Sequence, residues 1–388
     1  MTAPTPPVEE SAEGAWVTTV EGRRLLNCGG YGVLTFGAGH PRVVDRVRRQ
    51  LDRLAFGSRT LPHAEERAAA DAVRTVLPGE LSDVAFCTTG SEAVEMALRL
   101  ARLNRCTRMI TTTGGFHGRT LGSLSVNGTP LLRRPYRPLL EGVRTVDYGD
   151  AALVRRALAE EPGRAVVIVE PVQGESGVRV PPPEYLAEVA EACAEHRALL
   201  VVDEVQTGLG RLGHRWGVDR SGVVPDVLVM GKALGGGVLP ASGIAVREEA
   251  YRPFRRDPRQ ASATFSGAPL LMAAVQAAVE VFCDEKVVER ARAAEPLIAE
   301  CLGGAADRAD GLIREVRGLG VLHGVEFAHP KHAAAFAAAL IEHGVVPSHS
   351  MATTATVRLT PSALVSETDL EHLASAVAAA TETTLAAA

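Results

Sequence analysis

Between about residues 81 and 246 short apolar runs alternate with longer stretches in which apolar positions recur every three or four places. This is the pattern of parallel strands joined by covering helices. AVVIV at 165–169, ALLVV at 198–202 and VLVM at 227–230 read as strands, with a helix over 184–197 between the first two. After about Lys286 the rhythm changes to a helix ending near Leu302, a strand at VLHGVEF (321–327), an Ala-rich helix, a strand at TVRLT (356–360) and a last helix. That order predicts a smaller α+β domain after a large α/β one. Gly303-Gly304 and RPFRRDP (252–258) read as loops.

Length and charge narrow the possibilities. A chain of 388 residues suits two or three domains around a sizeable core. With 41 basic and 46 acidic residues mixed along it, no basic stripe offers itself to a phosphate backbone, so nucleic acid is not an expected partner. The six cysteines, Cys28, Cys87, Cys106, Cys193, Cys283 and Cys301, form no C-x-x-C pair and read as reduced packing residues of a cytoplasmic protein. The start, MTAPTPPVEESAEG, has neither a basic opening nor an apolar stretch. It reads as disordered over 1–14 and not as a targeting peptide. No apolar run approaches the roughly 20 residues of a membrane span.

The candidate chemistry collects at strand ends. VVIVE stops at Glu170, LLVVD at Asp203 and VLVMGK at Lys232, and parallel α/β sheets bind ligands beyond the carboxyl ends of their strands. In CTTGSEAVEMALRLAR (87–102), Thr89 and Glu92 have capping-box spacing, and Ala93, Met96, Ala97, Leu100 and Ala101 follow at helical intervals. Gly90 and Ser91 therefore open a helix, where free amides and the helix dipole attract a phosphate. Gly235 to Gly237 reads as a turn, with a further phosphate loop as the alternative. The chain has only three lysines. Lys286 lies in the charged stretch CDEKVVER and Lys331 in the loop-like HPKH; Lys232 alone follows an apolar strand and precedes glycines. A buried amine of lowered pKa condenses with an aldehyde, and a carboxylate such as Asp203 keeps a ring nitrogen protonated as an electron sink.

Together the blocks FCTTGSEAVEMALRLAR, GGFHGRTLGSLS, EPVQGESGV, VVDEVQTGLGRLG, DVLVMGKALGGG and TFSGAPL resemble the class III, fold-type I pyridoxal-phosphate aminotransferases, from about Gly14 to Leu373. RRPYRPLLEGVRTVDYGD (133–150) and KALGGGVLP are most similar to the putrescine, or diamine, members, with ornithine aminotransferase-like members beside them. The resemblance implies an α/β fold-type I transferase, with a large, mostly parallel-sheet domain over 51–285 and a smaller α+β domain assembled from 15–50 and 286–388. It implies pyridoxal 5'-phosphate held as a Schiff base by Lys232, with Asp203 on the ring nitrogen, Val205 and Phe116 on the ring faces and Gln206 at the ring oxygen. His117 and Glu170 join that pocket, Gly90 and Ser91 hold the phosphate, and Thr264 arrives from a second subunit of a homodimer. Arg358 would receive a substrate carboxylate, Glu175 would pair with it when none is present, and Tyr31 and Arg119 would line the distal pocket.

Departures from the family pattern fall where substrate is read. Ala38 stands for a frequent histidine, Arg119 for the lysine of the diamine subgroup, PSAL (361–364) for P-P-L, and SHSMATT (348–354) has no familiar counterpart. The expected reaction is amino transfer from an amine, diamine or ω-amino acid to a keto acid such as 2-oxoglutarate. The alternative keeps the cofactor but ends in decarboxylation, β- or γ-substitution or carbon–carbon bond formation. A non-catalytic cofactor-binding regulator is disfavoured, since the lysine and the aspartate are both present and no DNA-binding unit adjoins the fold.

Overall fold

The computed structural model describes residues 7–58, 60–160 and 164–388. Its centre is a sheet of seven strands: β1 Leu81–Cys87, β2 Cys106–Thr112, β3 Val143–Val146, β4 Arg164–Val169, β5 Leu199–Asp203, β6 Val227–Met230 and β7 Ser242–Arg247. They lie in the order β1-β7-β6-β5-β4-β2-β3. β7 runs antiparallel to β1 and β6, whereas the β6-β5-β4-β2-β3 ladder is parallel. Every residue of β5 and β6 is buried. Period-2 geometry splits these strands between two cores. Val167, Val169, Leu200 and Val202 join one apolar cluster, and Val166, Ile168, Leu199 and Val201 join the other. The first cluster includes residues of the helices Tyr185–Glu195 and Pro269–Asp284, and the second those of Gly90–Leu103 and Glu248–Arg256. Continuous apolar runs are what a sheet covered on both faces requires.

The neighbouring order β6-β5-β4 has a direct chemical consequence. Because these strands are parallel and adjacent, their carboxyl ends bring Lys232, Asp203 and Glu170 to one edge of the sheet.

Two four-stranded sheets complete the described residues. One joins Glu9–Glu13, Trp16–Thr19 and Arg24–Asn27 to Val345–Val346, the last pair in parallel. The other joins Ile313–Leu319, Leu322–Phe327, Thr356–Leu359 and Ser348–His349, backed by the helices Val287–Arg308 and Pro330–Glu342, on which Glu367–Ala386 packs in turn. The early and late parts of the chain thus share one ladder.

Three expectations need correction. Residues 1–6 lie outside the described residues, but Glu9–Glu13 is a strand and not disordered. All five of its side chains are exposed, so it is held by main-chain pairing with Trp16–Thr19, which a compositional signal does not register. Gly303-Gly304 lies inside the helix Val287–Arg308, where Leu302 and Ala305 continue the buried face across the two glycines. Residues 252–256 of RPFRRDP belong to the helix Glu248–Arg256 despite Pro253, since Ala250 and Phe254 bury one face at i, i+4 spacing. Among the described residues no helix is long and apolar enough to cross a membrane. The six cysteines are unpaired, and Cys28, Cys87, Cys106 and Cys193 are buried.

Candidate active site

A cavity of about 210 Å3 opens at the carboxyl ends of the parallel strands, lined by Thr89, Gly90, Ser91, Phe116, His117, Gly118, Glu170, Glu175, Asp203, Val205, Gln206 and Lys232. One wall is the start of the helix Gly90–Leu103. Thr89 Oγ1 accepts from the Glu92 amide at 3.2 Å, and Glu92 Oε2 accepts from the Thr89 amide at 3.0 Å, closing the capping box. Such a cap contributes about 1 kcal/mol and fixes which amides remain free at the helix start. Gly90 is sterically required, because a Cβ there would lie 2.9 Å from Val205 Cγ1. An alanine would close the space between the helix start and the β5 loop.

The strand-end charges form the floor. Burial pulls the Lys232 ammonium down to about 8 from its ordinary 10.5, against the opposing pull of Glu175, so the neutral amine is far more accessible near physiological pH than that of a solvated lysine. Its backbone has φ of 42°, a region costing a non-glycine residue roughly 1–3 kcal/mol, so strain is concentrated at this residue. Asp203 is buried; its Oδ2 accepts from His117 Nδ1 at 2.9 Å and its Oδ1 from the Val205 amide at 3.1 Å. Glu170 accepts from the Phe116 amide at 2.9 Å. Burial, with Asp203 nearby, pushes its carboxyl well above the usual carboxylate range. Glu170 therefore pins Phe116, and its burial beside Asp203 disfavours a second negative charge there.

The outer residues divide. Glu175 lines the cavity, and Arg358 lies behind it, fully buried, donating from Nη1 to Glu175 Oε1 at 2.7 Å and to the Gly174 carbonyl at 3.0 Å. Burial opposes ionisation of Glu175, but the Arg358 and Lys232 charges outweigh it and hold its carboxyl below the usual range. Arg358 Nη2 is buried with no acceptor among the described residues. Tyr31 is exposed, and its carbonyl accepts from Gln206 Nε2 at 3.2 Å. Arg119 is exposed and reaches Met351, while Thr264 sits on an exposed turn; neither lines the cavity of this chain.

Reading the sequence found Thr89 as a helix cap but not as part of the cavity wall, and missed other supports. Thr89 and Gly118 line the cavity, and Asn127 orients His117, accepting from its amide at 2.6 Å and donating to the Gly118 carbonyl at 3.0 Å. Ser348 accepts from Arg358 Nε at 3.1 Å. Capping-box spacing exposed Thr89; nothing local marks Asn127 or Ser348, whose roles arise from tertiary contacts. A larger trough of about 860 Å3 lies at the amino ends of the strands, between Arg164, Leu199 and Arg247, remote from this constellation.

Comparison with known proteins agrees with this geometry. The sequence model of the class-III aminotransferases matches residues 2–381. The acetylornithine aminotransferase of Methanopyrus kandleri is 41% identical over 316 residues, covering 81% of this chain and 79% of that protein. The ornithine aminotransferase of Toxoplasma gondii, with pyridoxal phosphate partially occupying its active site, superposes with a TM-score of 0.89 at 28% identity, over 100% of this chain and 92% of its own. The ornithine delta-aminotransferase of Plasmodium falciparum gives a TM-score of 0.85 at 27% identity, over 99% and 95%.

Proposed function

Because the chain belongs to the class-III aminotransferases and is thereby a pyridoxal-phosphate enzyme of amino transfer, we propose the donor, the acceptor and the residues that serve them. The donor is an ω-amino acid, or a related amine or diamine, and the acceptor is a keto acid such as 2-oxoglutarate. The relatives are named for ornithine and acetylornithine, molecules with an amine at one end and a carboxylate at the other. Nothing in them favours decarboxylation, substitution or carbon–carbon bond formation.

The cavity fits the cofactor. A helix start kept open by Gly90 suits a phosphate, the space between Phe116 and Val205 suits a flat ring, and a lysine of lowered pKa stands beside a buried aspartate. When bound, pyridoxal phosphate supplies an aldehyde for amines and a ring that takes up the electron pair of the broken C–H bond. Lys232 would hold the aldehyde carbon covalently between turnovers, then use its freed Nζ to move the proton between substrate carbon and cofactor carbon. Asp203, kept in place by His117 and the Val205 amide, would hold the proton on the ring nitrogen. Gln206 would face the ring oxygen, and Gly90 and Ser91 the phosphate.

The observation that carries the substrate reading is Arg358: buried, satisfied at Nε and Nη1, and left with an unpartnered Nη2 behind Glu175. A fork with one free tine suits a second carboxylate, which would enter when Glu175 moves aside. A permanently free arginine would favour carboxylates in both half-reactions, whereas the Glu175 pair lets one pocket accept a donor end without one. Arg358→Ala should lower kcat/KM for the keto acid by about 100-fold, consistent with the 2–5 kcal/mol assigned to a truncated buried charge pair. The donor half-reaction should change much less. Single-turnover kinetics separates the two halves, and equal damage to both would sink the carboxylate assignment.

We also propose a homodimer with shared sites. Phe56 and Phe265 pack edge-on at 5.5 Å yet are both more than half exposed, beside the exposed Thr264. A second copy covering them would carry Thr264 to its neighbour's phosphate. Light scattering should give a dimer, and Thr264→Ala should weaken cofactor retention about 10-fold, as the loss of a hydrogen bond to a charged group does. A fully active monomer contradicts the arrangement.

A further inference from the structure

The segment carrying SHSMATT is tied to the Glu175–Arg358 pair at several points. Ser348 Oγ accepts from Arg358 Nε at 3.1 Å, the Met351 amide donates to Glu175 Oε2 at 3.2 Å, and the Ala352 amide donates to the Glu175 carbonyl at 3.0 Å. The Met351 side chain leaves in another direction. Its Sδ accepts from Arg119 Nη2 at 3.4 Å, while the Arg119 amide donates to Ser91 Oγ at 3.1 Å. Ser91 and Glu175 both line the cavity. Arg119 and Met351 therefore bridge its phosphate-side wall to its ion-pair wall. Among the described residues Arg119 has no carboxylate partner, although exposed carboxylates on this chain commonly capture arginines.

We propose that Met351 is a specificity-determining positioning residue, which parks the Arg119 guanidinium for a donor whose carboxylate lies far from its reacting amine and ties that readiness to Glu175. This rests on the reading above that donors of that shape use the cavity. The argument turns on the strength of the acceptor. A thioether sulfur is a weak acceptor on a flexible, apolar stem. It orients the guanidinium without competing seriously with a carboxylate, whose charge-assisted contacts are about twice as strong. A carboxylate at position 351 would hold Arg119 too firmly, and a residue without an acceptor would leave it to be ordered at the substrate's expense. The amide of the same residue grips Glu175, so one backbone position serves both carboxylate-reading elements.

The test compares two donors with the same reacting end, ornithine with its carboxylate and 1,4-diaminobutane without one. The holoenzyme is used as wild type, Met351→Leu and Met351→Gln. Affinity is read from the cofactor's absorption on titration, and KM and kcat from turnover with 2-oxoglutarate. Leucine keeps the bulk and removes the acceptor; glutamine keeps both length and an acceptor. Met351→Leu should weaken ornithine by about 3- to 10-fold, the value of one modest hydrogen bond, with kcat unchanged and diaminobutane within about twofold. Met351→Gln should restore ornithine to within about twofold. Equal weakening of both donors, or full ornithine affinity in the leucine variant, overturns the proposal and leaves the donor assignment standing. A wild-type enzyme that binds ornithine no better than the diamine overturns the proposal together with the ω-amino-acid part of the donor reading, and leaves a diamine as the donor.

Discussion

Lys232→Ala should yield a folded protein whose amino-transfer rate has fallen on the order of 10⁴-fold, the upper range for losing a positioned proton-transfer group. Folding should survive, because alanine leaves the strain at φ of 42° unchanged and removes a desolvated amine from the cavity floor. Borohydride reduction of the wild-type holoenzyme followed by peptide mass analysis should place the cofactor adduct on Lys232. Lys286 and Lys331 are exposed and away from the cavity, so an adduct on either would end the assignment. The pH dependence follows from the lowered pKa. Only the neutral amine attacks an aldehyde, so capture of pyridoxal phosphate by cofactor-free protein should accelerate as pH rises through about 8. A midpoint near the ordinary 10.5 would show that the amine is solvated and the burial argument wrong.

Much of the fold was legible because its central sheet is covered on both faces. Strands so placed must be apolar throughout, and VLVM at 227–230 and the AVVIV and LLVV runs stand out against polar turns for that reason. Where packing overrode local propensity, the reading failed. Gly303-Gly304 stays helical because the Leu302 and Ala305 face continues to pack, and Pro253 is tolerated because Ala250 and Phe254 anchor that helix. The ribbon Glu9–Glu13 has no side-chain signature at all, since its pairing is through the backbone.

The candidate site followed the same division. Glu170, Asp203 and Lys232 were visible as polar residues ending apolar runs, and adjacency of β4, β5 and β6 makes that linear pattern a three-dimensional one. Gly90 and Ser91 were visible through the capping box. Local sequence could not reveal which distant loops close the cavity. Asn127 meets His117 across ten positions and Met351 meets Glu175 across 176, so neither spacing carries a period. Family resemblance bridged part of that distance, for Arg358 and Glu175. It was silent on SHSMATT, where this chain departs from the pattern.

Asp203→Asn should lower kcat by at least about 100-fold while leaving the protein folded, since removing one preorganised charge-stabilising group typically costs about 3–4 kcal/mol of transition-state energy. Asparagine fits the same volume, and its carbonyl can still accept from the Val205 amide. Two things are lost. The negative charge that would keep a proton on the ring nitrogen disappears, and an amide NH2 can now face His117 Nδ1, where a carboxylate oxygen accepted at 2.9 Å. His117 can answer by moving its proton to Nε2, but that atom is buried without a partner, so the relief is incomplete. A merely structural aspartate would show the second effect without the first, and His117→Ala separates them. Removing the imidazole should cost about 10-fold, because Asp203 keeps its charge and its bond to Val205. A cofactor analogue methylated on the ring nitrogen, with its positive charge fixed, should recover part of the rate in Asp203→Asn and none in wild type. If the asparagine variant turns over at near wild-type rate, or the fixed charge rescues nothing, the ring-nitrogen role belongs to another group.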